Sequence, residues 1–204
     1  MVDSQEGIFN CVRYAMEKLE KPLADSTDLR WCVGPPLQKS FTQLTGGDAI
    51  QSARALAFYR ERYTQKGIYE YKLYPDISEM LAALQPIFHL YLATSKPWVY
   101  AGQVLEHSGI KKFFSGIYGS ELDGTRVEKT DLIRHLLDQE NLEAAKTLMI
   151  GDRREDITGA AANHLPGWGA AWGFGSAEEL TNAGAQRIFK SPRELMAALV
   201  PGKS

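Results

Sequence analysis

The chain is poor in the residues that hold soft metals or cross-link a fold. Its 204 residues contain two cysteines, Cys11 and Cys32, and four histidines. The cysteines do not form a metal spacing, and His89, His107, His135 and His164 are scattered with no pair at ligand distance, so a zinc centre has no support. Two thiols in a chain of this length read as reduced and structural. Excess basic charge is also missing. With 23 Lys and Arg against 25 Asp and Glu, the formal charge is −2, which leaves no footprint for a nucleic-acid partner and no cationic stripe for an anionic membrane. No apolar run approaches the roughly 20 residues of a spanning helix. Asp3 and Glu6 stand where a secretory signal would be positive, and no apolar segment follows them, so the reading predicts a cytoplasmic protein. Internal repeats and low-complexity segments are absent.

What remains is an ordinary globular composition, 44% apolar and 24% charged, in a length that suits one or two domains. The first third reads as helix. Ile8, Phe9, Val12, Ala15, Met16 and Leu19 recur at helical spacing, and further helical patterns cover Leu37 to Leu44, after Pro35-Pro36, and Ala49 to Tyr63. No convincing strand occurs before residue 85. After Tyr74-Pro75-Asp76 the pattern alternates. Apolar strands are predicted at Ile87 to Ala93 and Leu148 to Ile150, with shorter ones at Gly116 to Gly119, Gly169 to Trp172 and Arg187 to Phe189. Helices lie between them, which implies parallel pairing through right-handed crossovers. The expectation is an α/β fold, with a helical module over residues 1–74 and a Rossmann-like parallel-sheet core over 75–204.

Three stretches of the second part can carry chemistry. The first predicted strand ends in Thr94-Ser95-Lys96, where hydroxyls and backbone N–H groups can hold an oxyanion or simply cap the next helix. Lys129 opens a helix, a place where the helix dipole disfavours a cation by about 0.3–1 kcal/mol unless an anion holds it. The run TLMIGDRREDITGAAAN over 147–163 delivers Asp152 to the end of a strand and Asp156 four residues later, a spacing that lets both carboxylates approach one point and suits a divalent cation. Hydroxyls, a lysine and paired acids, each at a strand's carboxyl end or a helix start, are the parts phosphoryl transfer uses.

At these residues the sequence resembles a family. TSK at 94–96, RVEK at 126–129 and GDRREDITGAAAN at 151–163 are similar to three successive motifs of the haloacid dehalogenase superfamily, in its phosphoglycolate-phosphatase-like branch. DSQEGIFNCVRYAMEKL at 3–19 and AFYRERYTQKGIYEYKLYPDI at 57–77 extend the likeness over most of the chain. The resemblance implies a helical cap over a Rossmann-like core. It implies phosphate binding by Thr94, Ser95 and Lys129, all three counted as catalytic, and a Mg²⁺ site at Asp152 and Asp156. It also implies a small phosphorylated metabolite as substrate, of the phosphoglycolate or nucleoside 5′-monophosphate class, hydrolysed through an aspartyl-phosphate. Asp76 departs from the Gly frequent at that point of the branch.

One departure is larger. The family's nucleophile stands in an Asp-x-Asp-Gly-Thr motif at the end of a central strand, and the 204 residues contain no such motif. The expectation is therefore a truncated chain without the first core strand and inactive as written. The alternative is a non-catalytic phosphate- or metal-binding protein on the same fold. Glu121-Leu122-Asp123-Gly124-Thr125 imitates the motif, but Asp-Gly marks a turn and only a short strand precedes it. Loss of a mid-sheet strand also predicts bare edges on both of its neighbours.

Overall fold

The computed structural model describes residues 1–34 and 36–200; Pro35, half of the Pro35-Pro36 break, lies outside the described residues. The chain divides into two compact units, one of Val2–Leu73 and one of Met1 with Tyr74–Ser204.

The first unit is helical. A short strand β1 (Val2–Asp3) leads into α1 (Gln5–Lys18), followed by α2 (Leu37–Leu44), α3 (Ala49–Gln65) and a short strand β2 (Lys72–Leu73) that pairs antiparallel with β1. Cys11, Val12, Ala15 and Met16 form one buried stripe on α1, and α1 and α2 both pack on α3. The Asp48 side chain caps α3 by accepting the Gln51 N–H. Arg62 on α3 forms a two-pronged ion pair with Glu70, with both N···O distances 2.8 Å, and Asn10 Nδ2 also donates to that carboxylate. The fork ties α1 and α3 to the segment that enters β2. Cys11 and Cys32 are both buried thiols, and Arg62 Nη1 donates to Cys11 Sγ at 3.2 Å.

The second unit alternates helix and strand. It runs α4 (Ile77–Leu84), β3 (Tyr91–Pro97), α5 (Trp98–His107), β4 (Gly116–Ser120), α6 (Lys129–Glu140), β5 (Met149–Gly151), α7 (Arg154–Ala162), β6 (Gly167–Ala170), α8 (Ala177–Asn182), β7 (Arg187–Phe189) and α9 (Pro192–Leu199). All its strand pairs are parallel, in two separate ladders. β3 pairs with β4, Tyr91 opposite Gly116 and Thr94 opposite Gly119; β6 lies between β5 and β7. α5 covers β3 and β4, α6 packs on β3, β4 and α7, and α7 packs on β5 and β6. Apolar stripes set these contacts: Leu132, Ile133 and Leu136 on α6 are buried, as are Ile157 and Ala160 on α7.

β3 begins four residues after the strand predicted at Ile87 to Ala93. The N–H groups of Ile87 and Phe88 both bond to Leu84 O, which winds these residues into a turn at the end of α4. They are 53% and 41% exposed. Hydrophobicity alone could not separate such a turn from a strand start, because the pairing partner lies more than twenty residues ahead. The strand runs through Thr94-Ser95-Lys96, the stretch in which the pattern has it end, and stops at Pro97.

The buried strands expected at β3 and β5 are only half-buried. Every residue of β3 is intermediate in exposure, as are Met149 and Ile150 of β5. β3 is paired only to β4 and β5 only to β6, so each has one edge without a strand partner among the described residues. An interior strand of a parallel sheet is normally paired on both edges and covered on both faces.

Candidate phosphate and metal site

The functional candidates gather at the carboxyl ends of β3 and β5. Thr94 and Ser95 sit where the β3 ladder becomes irregular, between the Thr94 and Pro97 partners. Thr94 Oγ1 accepts the Lys96 N–H at 3.2 Å and Ser95 O accepts the Ser120 hydroxyl at 2.9 Å, so the turn is held from within and from β4.

Lys129, the first residue of α6, has its side chain 8% exposed. Its ammonium donates to Ala93 O on β3 at 3.0 Å and pairs with Asp156 Oδ1 at 2.8 Å. Those two acceptors compensate the cation's unfavourable place at a helix start. The same contacts make Lys129 a bridge, since Ala93 belongs to one ladder and Asp156 stands in the first turn of the helix that follows the other.

Asp156 is fully engaged. While Oδ1 faces Lys129, Oδ2 accepts the backbone N–H groups of Asp152 at 3.1 Å and Arg153 at 3.2 Å. Gly151 makes this closeness possible, because a Cβ there would lie 2.1 Å from Asp156 Cβ. Any other residue at 151 would push the carboxylate away.

Asp152 is differently placed. Its Oδ2 accepts the Phe174 N–H at 2.8 Å and its carbonyl accepts the Gly175 N–H at 2.9 Å. Gly173-Phe174-Gly175 thus wraps the carboxylate, and a Cβ at Gly173 would lie 2.2 Å from Asp152 Oδ2. The signal for this loop in the sequence is its pair of glycines, Gly173 and Gly175. Beside it, Glu179 Oε1 accepts Arg153 Nε at 3.0 Å and the Arg154 N–H at 2.9 Å. The amine of Met1 is buried close to these acids, and burial holds its pKa below the ordinary value against the opposing pull of Asp152 and Asp156.

The donor set can be tested against a metal. Among the described residues no three His, Cys, Asp or Glu side chains are grouped to hold an ion. Asp152 offers one carboxylate oxygen beyond the one held by Phe174, and Asp156 offers none that is not already bonded. One or two carboxylates completed by water and substrate phosphate oxygens is how Mg²⁺ is commonly bound, so the arrangement fits that ion and not an all-protein cage.

Both carboxylate oxygens of Glu121 are engaged by side chains. Trp98 Nε1 donates to its Oε2 at 3.0 Å, and Arg126 Nη2 forms an ion pair with its Oε1. Trp98 has no local signal in the sequence and Arg126 enters only as the first residue of RVEK; their links to Glu121 join residues 23 and 5 positions apart.

Parallel strands that bring hydroxyls, a lysine and a carboxylate to their carboxyl ends define an α/β enzyme that handles phosphoryl groups. The chain belongs to the haloacid dehalogenase-like hydrolase family, whose model matches residues 1–166. It is 44% identical over 181 residues to a 5′-nucleotidase of Pseudomonas aeruginosa, covering 88% of this chain and 82% of that protein. It is 26% identical over 208 residues to a phosphoglycolate phosphatase of Colwellia psychrerythraea, covering 98% and 92%. A crystal structure of a predicted phosphatase from Clostridium acetobutylicum superposes with a TM-score of 0.90 at 40% identity, covering 98% of this chain and 93% of that one. By family the chain is a phosphoric monoester hydrolase, and no described helix is long and apolar enough to cross a membrane.

Proposed function

We propose that the fold serves Mg²⁺-dependent hydrolysis of a small phosphomonoester, of the phosphoglycolate or nucleoside 5′-monophosphate class, in the cytoplasm. The observation that carries the proposal is the Lys129 bridge: one buried ammonium joined to Ala93 O beside Thr94-Ser95 and to Asp156 beside Asp152. That placement supports roles for Thr94 and Ser95 as phosphate ligands and for Lys129 as the cation that offsets phosphoryl charge. Asp152 would hold Mg²⁺ directly. Asp156 would act through its neighbours, keeping Lys129 and the Asp152 backbone in place. The bound ion supplies charge neutralisation on the phosphoryl oxygens. Residues 1–74, as a cap, would exclude bulk water and select the substrate.

The nucleophile is the remaining requirement. In-line attack needs a carboxylate at the phosphorus, and the 204 residues supply no Asp-x-Asp-Gly-Thr to bear it. The unpartnered edges of β3 and β5 support a place for a strand that would end there. In this reading the chain as written binds phosphate and Mg²⁺ but does not form an aspartyl-phosphate. A binding protein without catalysis is the second reading, favoured by the same absence of the motif.

The test compares hydrolysis of phosphoglycolate and nucleoside 5′-monophosphates by this chain and by a version carrying an Asp-x-Asp-Gly-Thr strand ahead of Val2. Activity confined to the strand-bearing protein supports the proposal. A folded strand-bearing protein that hydrolyses neither class refutes it in favour of the binding role.

A further inference from the structure

Arg126 lies in the loop between β4 and α6, three residues before Lys129, and it is one of five non-glycine residues with positive φ among the described residues and the one that also carries an orphaned buried donor. Its backbone has φ = 58°, in the left-handed region where an arginine gains nothing from a local side-chain hydrogen bond. Strain of this kind persists where surrounding structure imposes it, and functional loops are where it collects. The second feature is its guanidinium. The side chain is 30% exposed, and its buried Nε–H has no acceptor among the described residues. An orphaned buried donor on a cation is uncommon, and a missing ion or ligand is one of the standard reasons for it.

The guanidinium is also held in place. Nη2 pairs with Glu121 Oε1, and Glu121 Oε2 receives the Trp98 indole N–H. Trp98 follows directly on the Thr94–Pro97 stretch, and Glu121 follows directly on β4, whose Gly119 stands opposite Thr94. Through Glu121 and Trp98, Arg126 is thus tied to the carboxyl ends of β3 and β4, the strands that carry Thr94 and Ser95 and pair beside them. Lys129 is shared with Asp156 and Ala93 O, so a second cation would add to the positive charge it offers a phosphate dianion. A planar guanidinium with an unused N–H suits the oxygens of a phosphate or carboxylate, and more so than an ammonium would.

We infer that Arg126 is a further anion-recognition residue of this site, positioned by Glu121 and Trp98, and that its Nε–H takes an oxyanion oxygen of the substrate. The inference rests on the phosphatase reading above and adds the residue that reads the substrate's charge. The oxyanion belongs either to the phosphoryl group itself or to a second anionic group on the same molecule.

Isothermal titration calorimetry with Mg²⁺ present, using inorganic phosphate and 2-phosphoglycolate as probes, separates the possibilities. The unmodified chain, Arg126→Gln, Arg126→Lys and Lys129→Met are compared, each checked for folding by circular dichroism. Arg126→Gln is expected to weaken 2-phosphoglycolate binding roughly ten- to a hundredfold, the size of one charge-assisted hydrogen bond, with partial recovery in Arg126→Lys. An equal loss for inorganic phosphate assigns the oxyanion to the phosphoryl group, and a loss confined to 2-phosphoglycolate assigns it to the second group. If the unmodified chain binds both probes and folded Arg126→Gln binds them equally well, Arg126 has no such role while the phosphatase reading stands. If the unmodified chain binds neither probe and Lys129→Met changes nothing, both fall.

Discussion

Lys129→Met should destabilise the protein far more than the loss of a surface ion pair would. The pair it forms with Asp156 is 2.8 Å long with side chains 8% and 9% exposed, so solvent and salt screen it little. Methionine keeps the length and apolar stem of lysine while removing the charge. Asp156 then remains buried with Oδ1 unpaired, although Oδ2 retains the N–H groups of Asp152 and Arg153. Breaking one side of a buried pair costs about 3–5 kcal/mol, and those two retained hydrogen bonds place this case toward the lower end. The lost bond to Ala93 O adds about 1 kcal/mol. A net cost of about 4 kcal/mol, with an m-value of about 2 kcal/mol/M, lowers the urea midpoint by about 2 M. The double variant Lys129→Met/Asp156→Asn removes both charges and should recover part of that loss, giving a favourable coupling energy in the cycle. A Lys129→Met midpoint within about 0.5 M of the parent would refute the reasoning, since that corresponds to about 1 kcal/mol, the range of an exposed pair.

Further outcomes follow from neighbouring contacts. Gly151→Ala places a methyl group 2.1 Å from Asp156 Cβ, and is expected to cost about 1–3 kcal/mol in urea unfolding and to weaken phosphate binding measured by calorimetry. In the strand-bearing protein, Asp152→Asn should lower Mg²⁺ affinity, read from activation curves, by more than the roughly 10–100-fold that loss of an outer partner costs. The Arg62 hydrogen bonds hold the Glu70 carboxyl below its ordinary value of 4.5, so its stabilisation is complete above that pH and is lost as pH falls through the folded-state value. Glu70→Gln should therefore be less stable than the parent at pH 7 by about 1–2 kcal/mol, and the gap in urea midpoints should close as the pH drops below 4.5.

The parts of the site legible in the sequence were those written in short, local patterns. Gly151-Asp152 and Asp156 stand within one turn of each other, so their spacing alone brought the second carboxylate back onto the first residue's backbone. Lys129 was only partly readable: a lysine at a helix start can be held by an anion or stay solvated, and the resemblance rather than its position gave it a role; the structure pairs it with Asp156. What Asp156 does was not readable from its residue type. Both of its oxygens are engaged by the protein, a consequence of how α6 packs on α7, and only Asp152 keeps a carboxylate oxygen for an ion. The start of β3 was misplaced for a similar reason: Ile87 and Phe88 are as apolar as strand residues, and only the distant β4 decides where pairing begins. Trp98 had no local signal, Glu121 was read only within an imitation of the nucleophile motif and Arg126 only within RVEK, because their network joins the ends of two strands that meet only in the folded sheet. The alternation of strand and helix after residue 75 was strong enough to give parallel pairing. Local pattern could not show that these strands form two ladders.

The central proposal is that these 204 residues would hold phosphate and Mg²⁺ at a phosphatase site but do not themselves supply the Asp-x-Asp-Gly-Thr carboxylate. Acid-quench trapping of covalent phosphate after mixing with a phosphomonoester and Mg²⁺ tests it most directly. The account predicts no trapped phosphoenzyme on the chain as written, and a label on the first aspartate of the added motif in the strand-bearing protein. Covalent phosphate on the unmodified chain would contradict it.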